Sequence, residues 1–295
     1  MSNILINVLS KSIGDNLASI PYINKYKEDN SDCNIYVSCN ELLKPYLIDS
    51  YPNLNFSELN NYDKIITLDY NFNLPIQKGY AIQLGYTGDE YIRPILNFNP
   101  KEKPLDKKYV CFGIHSTMQM KYWNHPKGKS EQKKSTNWVI LNQKLRKYGL
   151  TPVVVEKDEL FGSKPFFNGI PSGPIKRIGM DFYDVLNYIY HCEFYIGLSS
   201  GLSWVAHSMN KKVAIISNFT EDWNEFDLNC EDYVRITNKS VCHGCFNKII
   251  TSEEKSQVLS NWYYCPIHSG TNREFECHKS ITPDDVINSI KKWLK

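Results

Sequence analysis

Residues Ile4 to Leu9 form a short apolar run of the length of a buried strand, and a Ser-Ile-Gly-Asp turn follows it. Leu17, Ile20 and Ile23 then recur at helical spacing, which predicts a helix from Asp15 to Tyr26. The alternation continues with a strand at Asn34 to Val37, a helix over Glu41 to Ile48 and a strand at Lys64 to Leu68. From Asn97 to Lys108 the periodicity lapses into Pro, Lys and Asp, the composition of a linker. The pattern restarts with a strand at Tyr109 to Ile114, a helix at Trp138 to Tyr148 and a strand at Pro152 to Val155. A helix over Asp184 to His191, a strand at Phe194 to Gly197, a helix reaching Met209 and a strand at Lys212 to Ser217 complete it. Thr282-Pro-Asp-Asp285 carries a hydroxyl cap, a proline and first-turn acids, so a last helix is expected to run to Leu294. Strands alternating with helices predict an α/β protein with parallel sheets in two Rossmann-like domains that face a cleft. The expected division is a first domain over 1–98, a linker over 99–107, a second domain over 108–239, a cysteine segment over 240–280 and a closing helix over 281–295.

Composition narrows the class of partner. Of 295 residues, 42% are hydrophobic and the formal net charge is +2, so no whole-molecule field draws the chain to nucleic acid or membrane. Its first ten residues carry neither a basic region nor an apolar run of signal length, and no later run approaches a membrane span. These features predict a cytoplasmic protein.

Four cysteines near the end supply the strongest motif. Cys242-His-Gly-Cys245 is followed by Cys265 and Cys277, with Gly244, Pro266 and Gly270 providing turns between them. A Cys-x-x-Cys pair plus two thiols in a polar, poorly periodic stretch has the form of a four-thiolate metal site that closes its own loops. Two disulfides, or four unrelated thiols, are the alternatives. With all four thiolates bound no ligand position stays open, so the expected role is structural, with zinc or iron as the ion. The other cysteines (33, 39, 111, 192 and 230) are scattered and read as free thiols in a reducing compartment.

Three further motifs follow predicted strands. Gly14-Asp15, with Pro21 beyond it, puts a carboxylate at the mouth of the first sheet, where it could take a proton from an attacking hydroxyl or simply cap a helix. Ile114-His-Ser-Thr-Met-Gln-Met-Lys121 offers hydrogen-bond donors in Ser116, Thr117 and Gln119 and a phosphate-sized charge in Lys121, or an ordinary polar loop. Gly197-Leu-Ser199-Ser200-Gly201-Leu202 joins a strand to a helix start, a turn able to cradle a diphosphate. Walker and dinucleotide-binding glycine spacings are absent from these turns. No Asp-x-Asp occurs to carry a divalent ion, so Lys121 and the helix end would meet phosphate charge without catalytic metal.

At these residues the chain resembles the heptosyltransferase superfamily of GT-B glycosyltransferases. The marks are Gly14-Asp15 with Pro21, Lys121-x-Trp123 with Trp138 opening a helix, and Ile196-Gly-Leu-Ser-Ser-Gly201. It looks most like the autotransporter O-heptosyltransferases, through Lys121-Tyr-Trp-Asn124, Ser199-Ser-Gly-Leu-Ser-Trp204, Phe275-Glu-Cys-His-Lys-Ser-Ile-Thr-Pro283 and the cysteine segment. The resemblance implies that Asp15 is the general base of an inverting transfer and that Lys121 neutralises the donor's phosphates. It further implies that Gly14, Ser116, Thr117, Gln119 and Ser199 to Leu202 border the donor, an ADP-heptose-like nucleotide sugar. Iron, held by Cys242, Cys245, Cys265 and Cys277, is the ion that it favours over zinc.

Departures from the pattern shape the expected acceptor. Lipopolysaccharide heptosyltransferases carry Asp-Ser-Gly-x-x-His, where this chain has Ser199 for Asp and Trp204 for His, which argues against a lipopolysaccharide acceptor. The protein-modifying members carry an extra N-terminal domain, whereas this sequence opens directly on the catalytic unit, so that acceptor device is expected to be missing. The leading expectation is transfer to a macromolecular hydroxyl such as protein Ser or Thr. Lysines at 127, 129, 133 and 134, between Trp123 and Trp138, allow a second acceptor, hydroxymethylated bases of DNA, as in phage enzymes. A non-enzymatic nucleic-acid or protein binding module built on the metal segment is the reading from another class.

Overall fold

The computed structural model describes residues 1–71, 73–116, 121–123, 136–163, 166–248 and 265–294. The lysines at 127, 129, 133 and 134 lie outside these described residues, as do Thr117 and Gln119.

Two parallel sheets are built from the alternating segments. In the first, β1 (Asn3–Val8) lies between β2 (Asn34–Ser38) and β3 (Lys64–Leu68), in the order β2-β1-β3. Ile4, Ile6 and Val8 point inward from β1 onto α1 (Ile13–Asp29), whose Leu17, Ile20 and Ile23 are at most 1% exposed. This helix exceeds its expected span at both ends. Its cap is Ser12, whose hydroxyl accepts the Asp15 N–H at 3.3 Å. α2 (Lys44–Ser50) begins three residues later than expected, because Asn40 ties Leu42 and Leu43 into a turn and Pro45 marks the first helical turn. α3 (Ile76–Gln83) had no periodic signature in the sequence.

The second sheet holds β4 (Tyr109–Gly113), β5 (Thr151–Glu156), β8 (Ile175–Ile178), β9 (Tyr195–Leu198), β10 (Val213–Ile216) and β11 (Tyr233–Ile236), all parallel. Their order is β11-β10-β9-β4-β5-β8, and a separate antiparallel pair joins β6 (Leu160–Ser163) to β7 (Phe166–Gly169). β4, β9 and β10 are buried at every position, as the continuous apolar runs require when helices cover both faces. Cys111, Val153, Val155 and Tyr195 pack in a core shared with the first sheet. Val110, Phe112, Val154 and Ile196 pack on the opposite face with Trp123, Trp138 and Ile287. The covering helices include α4 (Thr136–Arg146), α5 (Phe182–His191) and α6 (Gly201–Ser208).

The Pro- and Lys-rich stretch after residue 96 runs without helix or strand, yet it is tied down along its course. Asn97 N–H donates to Ser50 at 2.7 Å, Lys101 N–H to Asn187 at 3.0 Å, and Phe98 packs on Tyr183. The closing helix is shorter than expected. Thr282 and Asp285 form a reciprocal capping box at its start, but the helix ends at Ser289 and gives way to a 3-10 turn at Lys291–Trp293. Among the described residues no helix is long and apolar enough to cross a membrane.

Candidate active site

Strand order fixes where the motifs meet. In each sheet the first strand has its next strand on one side and a later one on the other, so a crevice opens at the carboxyl ends there. The reversal lies between β1 and β3 in one sheet and between β4 and β9 in the other. Asp15 follows β1, Tyr70 follows β3, Lys121 follows β4 and Ser199 follows β9. The two crevices face one another through the starts of α1 and α6. A Cβ on Gly14 would lie 2.9 Å from the Trp204 ring, and one on Gly201 2.9 Å from Ile13 Cβ. Glycine at both positions permits this approach.

Asp15 is not the helix cap, because Ser12 holds that place. Its carboxylate instead accepts a hydrogen bond from the Ser10 hydroxyl. Burial raises its pKa above the usual carboxylate value, against the lowering effects of Ser10, Ser12 and the positive charge of Lys121. Lys121 is lowered by its own enclosure and raised by Glu225 and Asp15. The base proposed from one unit and the cation proposed from the other are thus close enough to shift one another's titration. Lys121 Nζ donates to Ser199 O at 3.2 Å and to Ser199 Oγ at 3.1 Å, and lies 5.5 Å from the centre of the Phe246 ring.

Ser116 reaches Ser199 O with its hydroxyl at 3.5 Å, a marginal contact. Ser200 stands at the N-cap of α6 in extended backbone and makes no side-chain cap hydrogen bond. Glu156, at the end of β5, accepts the N–H groups of Ile114 at 2.7 Å and His115 at 3.0 Å, which pins the chain where it leaves β4. Burial pushes its carboxyl up to about 8.

Sequence reasoning missed the residues behind Lys121. Ser199 Oγ donates to Glu225, which also takes Arg235 as an ion-pair partner and the Thr220 hydroxyl at 3.2 Å. Glu225 is 2% exposed. Tyr70 crosses the cleft from the first unit to within 3.5 Å of Asn224, with its ring 6.0 Å from Phe246. The readable signal was Arg235, a charged residue within the strand Tyr-Val-Arg-Ile, since such a group needs a buried partner.

The cysteine segment lies directly behind this site. Gly244, at φ +68°, makes the knuckle between Cys242 and Cys245, a conformation that side chains disfavour. Cys245, Cys265 and Cys277 are 4%, 5% and 7% exposed, and all four cysteines are free thiols. Cys277 is pushed up by burial and then by the other three thiols, and Cys245 is pushed up to about 12 by burial and its neighbours Cys242 and Cys265. The thiols of Cys242, Cys245 and Cys265 stand near enough to raise that of Cys277, and no disulfide joins them, a chemistry that suits a soft ion, although their sulfurs are not drawn into one compact ligand set. His268 and Glu276 stand beside Cys242, their ligand atoms within 4.8 Å of one another.

No protein-family model matches the chain. Curated relatives do. It is 27% identical over 313 residues to the autotransporter heptosyltransferase Aah of Escherichia coli, covering 98% of this chain and 73% of Aah. Identity to the autotransporter heptosyltransferase TibC of Escherichia coli O78:H11 is 26% over 314 residues, covering 98% of this chain and 71% of TibC. The crystal structure of TibC, an iron-containing dodecameric glycosyltransferase, superposes with a TM-score of 0.85 at 24% identity, over 99% of this chain and 76% of that one. The ADP-heptose lipopolysaccharide heptosyltransferase II of Escherichia coli superposes at 0.65 with 13% identity, over 100% of this chain and 98% of that one. Along nearly its whole length the chain is similar in sequence to autotransporter heptosyltransferases, and it shares the GT-B fold of the heptosyltransferase structures on which it superposes.

Proposed function

We propose that the protein is an inverting glycosyltransferase that moves a heptose-like sugar from an ADP-linked donor to a hydroxyl of a macromolecule such as protein Ser or Thr. The observation that carries this reading is the close approach of α1 and α6 at Gly14 and Gly201, which sets the turn bearing Asp15 against the Ser199 turn that holds Lys121. Its kinship supplies the donor class, since a second TibC structure contains ADP-D-beta-D-heptose.

In this mechanism Asp15 takes the proton of the acceptor hydroxyl as that oxygen attacks the anomeric carbon, and burial makes it a stronger base than an exposed aspartate. Lys121 and the first-turn N–H groups of α6, at Gly201 and Leu202, meet the charge that grows on the departing diphosphate. Ser199 holds the Lys121 ammonium in place, and Ser116, Thr117, Gln119 and Gly14 border the donor. The domain division at 99–107 would separate acceptor from donor binding. Cys242, Cys245, Cys265 and Cys277 would hold iron as a closed structural site, which stabilises the segment carrying Phe246.

The test is a panel of nucleotide sugars scored by protection against thermal unfolding and by nucleotide release with candidate acceptors. ADP-heptose should protect and turn over, and Lys121→Met should cut turnover about a hundredfold or more, the scale of losing one positioned charge donor. A protein that neither binds nor cleaves any nucleotide sugar sinks the proposal.

A further inference from the structure

Glu225 is a fully enclosed carboxylate with no place in the transfer chemistry. It sits in the loop between β10 and β11, 2% exposed, and its two oxygens face in different directions. One accepts from the Ser199 and Thr220 hydroxyls, and the other pairs with Arg235. Arg235 is itself anchored, donating to Thr220 O at 2.9 Å as well as to the Thr220 hydroxyl. Ser199 in turn accepts from Lys121. A continuous relay of charge-assisted hydrogen bonds therefore runs from Arg235 on β11 through Glu225 and Ser199 to Lys121 in the cleft.

Such a relay has a chemical consequence. A lysine enclosed without a counter-charge loses its proton near neutral pH. Uncharged, it cannot neutralise a diphosphate. The charged and titratable groups facing Lys121 are Asp15 from α1, Glu225 from the β10–β11 loop and Arg235 from β11, with the Phe246 ring over it and Tyr70 across the cleft. Glu225 is the nearest in effect of the two acids, and it stays ionised through Arg235 and Lys121. Asp15, by contrast, gains a proton during each proposed transfer, so it cannot hold Lys121 charged throughout.

We infer that Glu225 is the positioning residue of the donor side: it keeps Lys121 protonated and, by way of the Ser199 hydroxyl, aimed at the diphosphate. The inference rests on the donor-binding role proposed above for Lys121. It acts through Lys121 and Ser199 and makes no contact with substrate.

The experiment reads Lys121 directly. With lysine labelled at its ε-carbon, the Lys121 resonance, assigned through Lys121→Arg, gives its titration midpoint without any ligand. In the wild type the midpoint should lie below the ordinary lysine value and still leave Lys121 charged at neutral pH. In Glu225→Gln, which keeps size and can still accept from Ser199, it should fall by about one to three pH units. Glu225→Asp, retaining the charge, should restore most of that shift. Titration with ADP in parallel should show affinity in Glu225→Gln falling about tenfold more between pH 7 and pH 9 than in the wild type. An unchanged Lys121 midpoint in Glu225→Gln overturns the inference. Should that variant not fold, a wild-type Lys121 found uncharged at neutral pH overturns it equally. Absence of ADP binding by the wild type would sink the donor reading instead, and the midpoints would still judge Glu225.

Discussion

At the scale of single residues, the choice for Asp15 lies between a helix cap and a base, and stability separates them. Ser12 already caps α1, while burial raises the Asp15 carboxyl above its ordinary value. The folded protein therefore binds that proton more tightly than the unfolded chain. Its ionised form costs stability at every pH above the folded value, and the cost disappears below about pH 4, where both states hold the proton. Asp15→Asn should accordingly match or exceed the wild type in melting temperature at pH 7, with the difference closing toward pH 4. Transfer should fall about 10²- to 10⁴-fold, the scale of a lost general base. In the wild type, the acid limb of the rate profile should lie above the usual aspartate value, and the alkaline limb below the usual lysine value. Differential scanning calorimetry beside a turnover assay reads both effects. A variant that loses several degrees at pH 7 while keeping its turnover would return Asp15 to a structural role.

At the scale of elements, the cysteine segment does more than close its own loops. Phe246 directly follows Cys245, its ring stands over Lys121 and near Tyr70, and Asn247 donates to Asn224 at 2.7 Å. If the proposed ion is held, its binding free energy would be folding free energy, and about 2–4 °C accompanies each kcal/mol in a chain of this size. Cys245→Ser should lower the melting temperature by roughly 6–12 °C if about 3 kcal/mol is lost. Phe246→Ala should spare the metal content, measured by elemental analysis, yet reduce turnover. Equal metal and equal turnover in Phe246→Ala would confine the segment to a purely structural part. The sequence made this segment's existence plain, since thiol spacing is local, but its position behind Lys121 depends on contacts between residues more than a hundred apart. The same division holds elsewhere. β1, β4 and the start of α6 were legible from apolar runs and a small-residue turn. α3 and β11 were not, because α3 lacks a periodic face and β11 is a four-residue strand with Arg235 in its middle. Glu225 escaped notice for a related reason, as an acid in a polar loop shows its role only once folding brings Arg235 and Ser199 to it.

At the scale of the whole molecule, the active centre depends on how closely the two sheets' crevices approach, and two glycines set that distance. Trp204, on the first turn of α6, is 2% exposed, packs edge-on against Phe226 with centroids 4.6 Å apart, and fills the space beside Gly14. A methyl group on Gly14 would come within 2.9 Å of the Trp204 ring, and Phe226 behind it, also 2% exposed, leaves the ring little room to retreat. The start of α1 must then move, and Asp15 is its next residue. Overpacking of this kind costs about 1–3 kcal/mol, but its sharper effect is geometric, since a base displaced by even an ångström loses much of its rate advantage. Gly14→Ala should therefore reduce transfer by tenfold or more while ADP affinity, set by Lys121 and the start of α6, stays within about threefold. Gly201→Ala meets Ile13 Cβ at the same 2.9 Å from the opposite side, but lies on the nucleotide turn itself, so it should weaken ADP binding as well. The contrast between the two variants, read by calorimetric ADP titration and by turnover, is the measure of the joint. Equal losses of affinity in both would mean that the approach of α1 and α6 shapes the donor pocket as a whole, and unchanged turnover in Gly14→Ala would mean that the joint yields without moving Asp15.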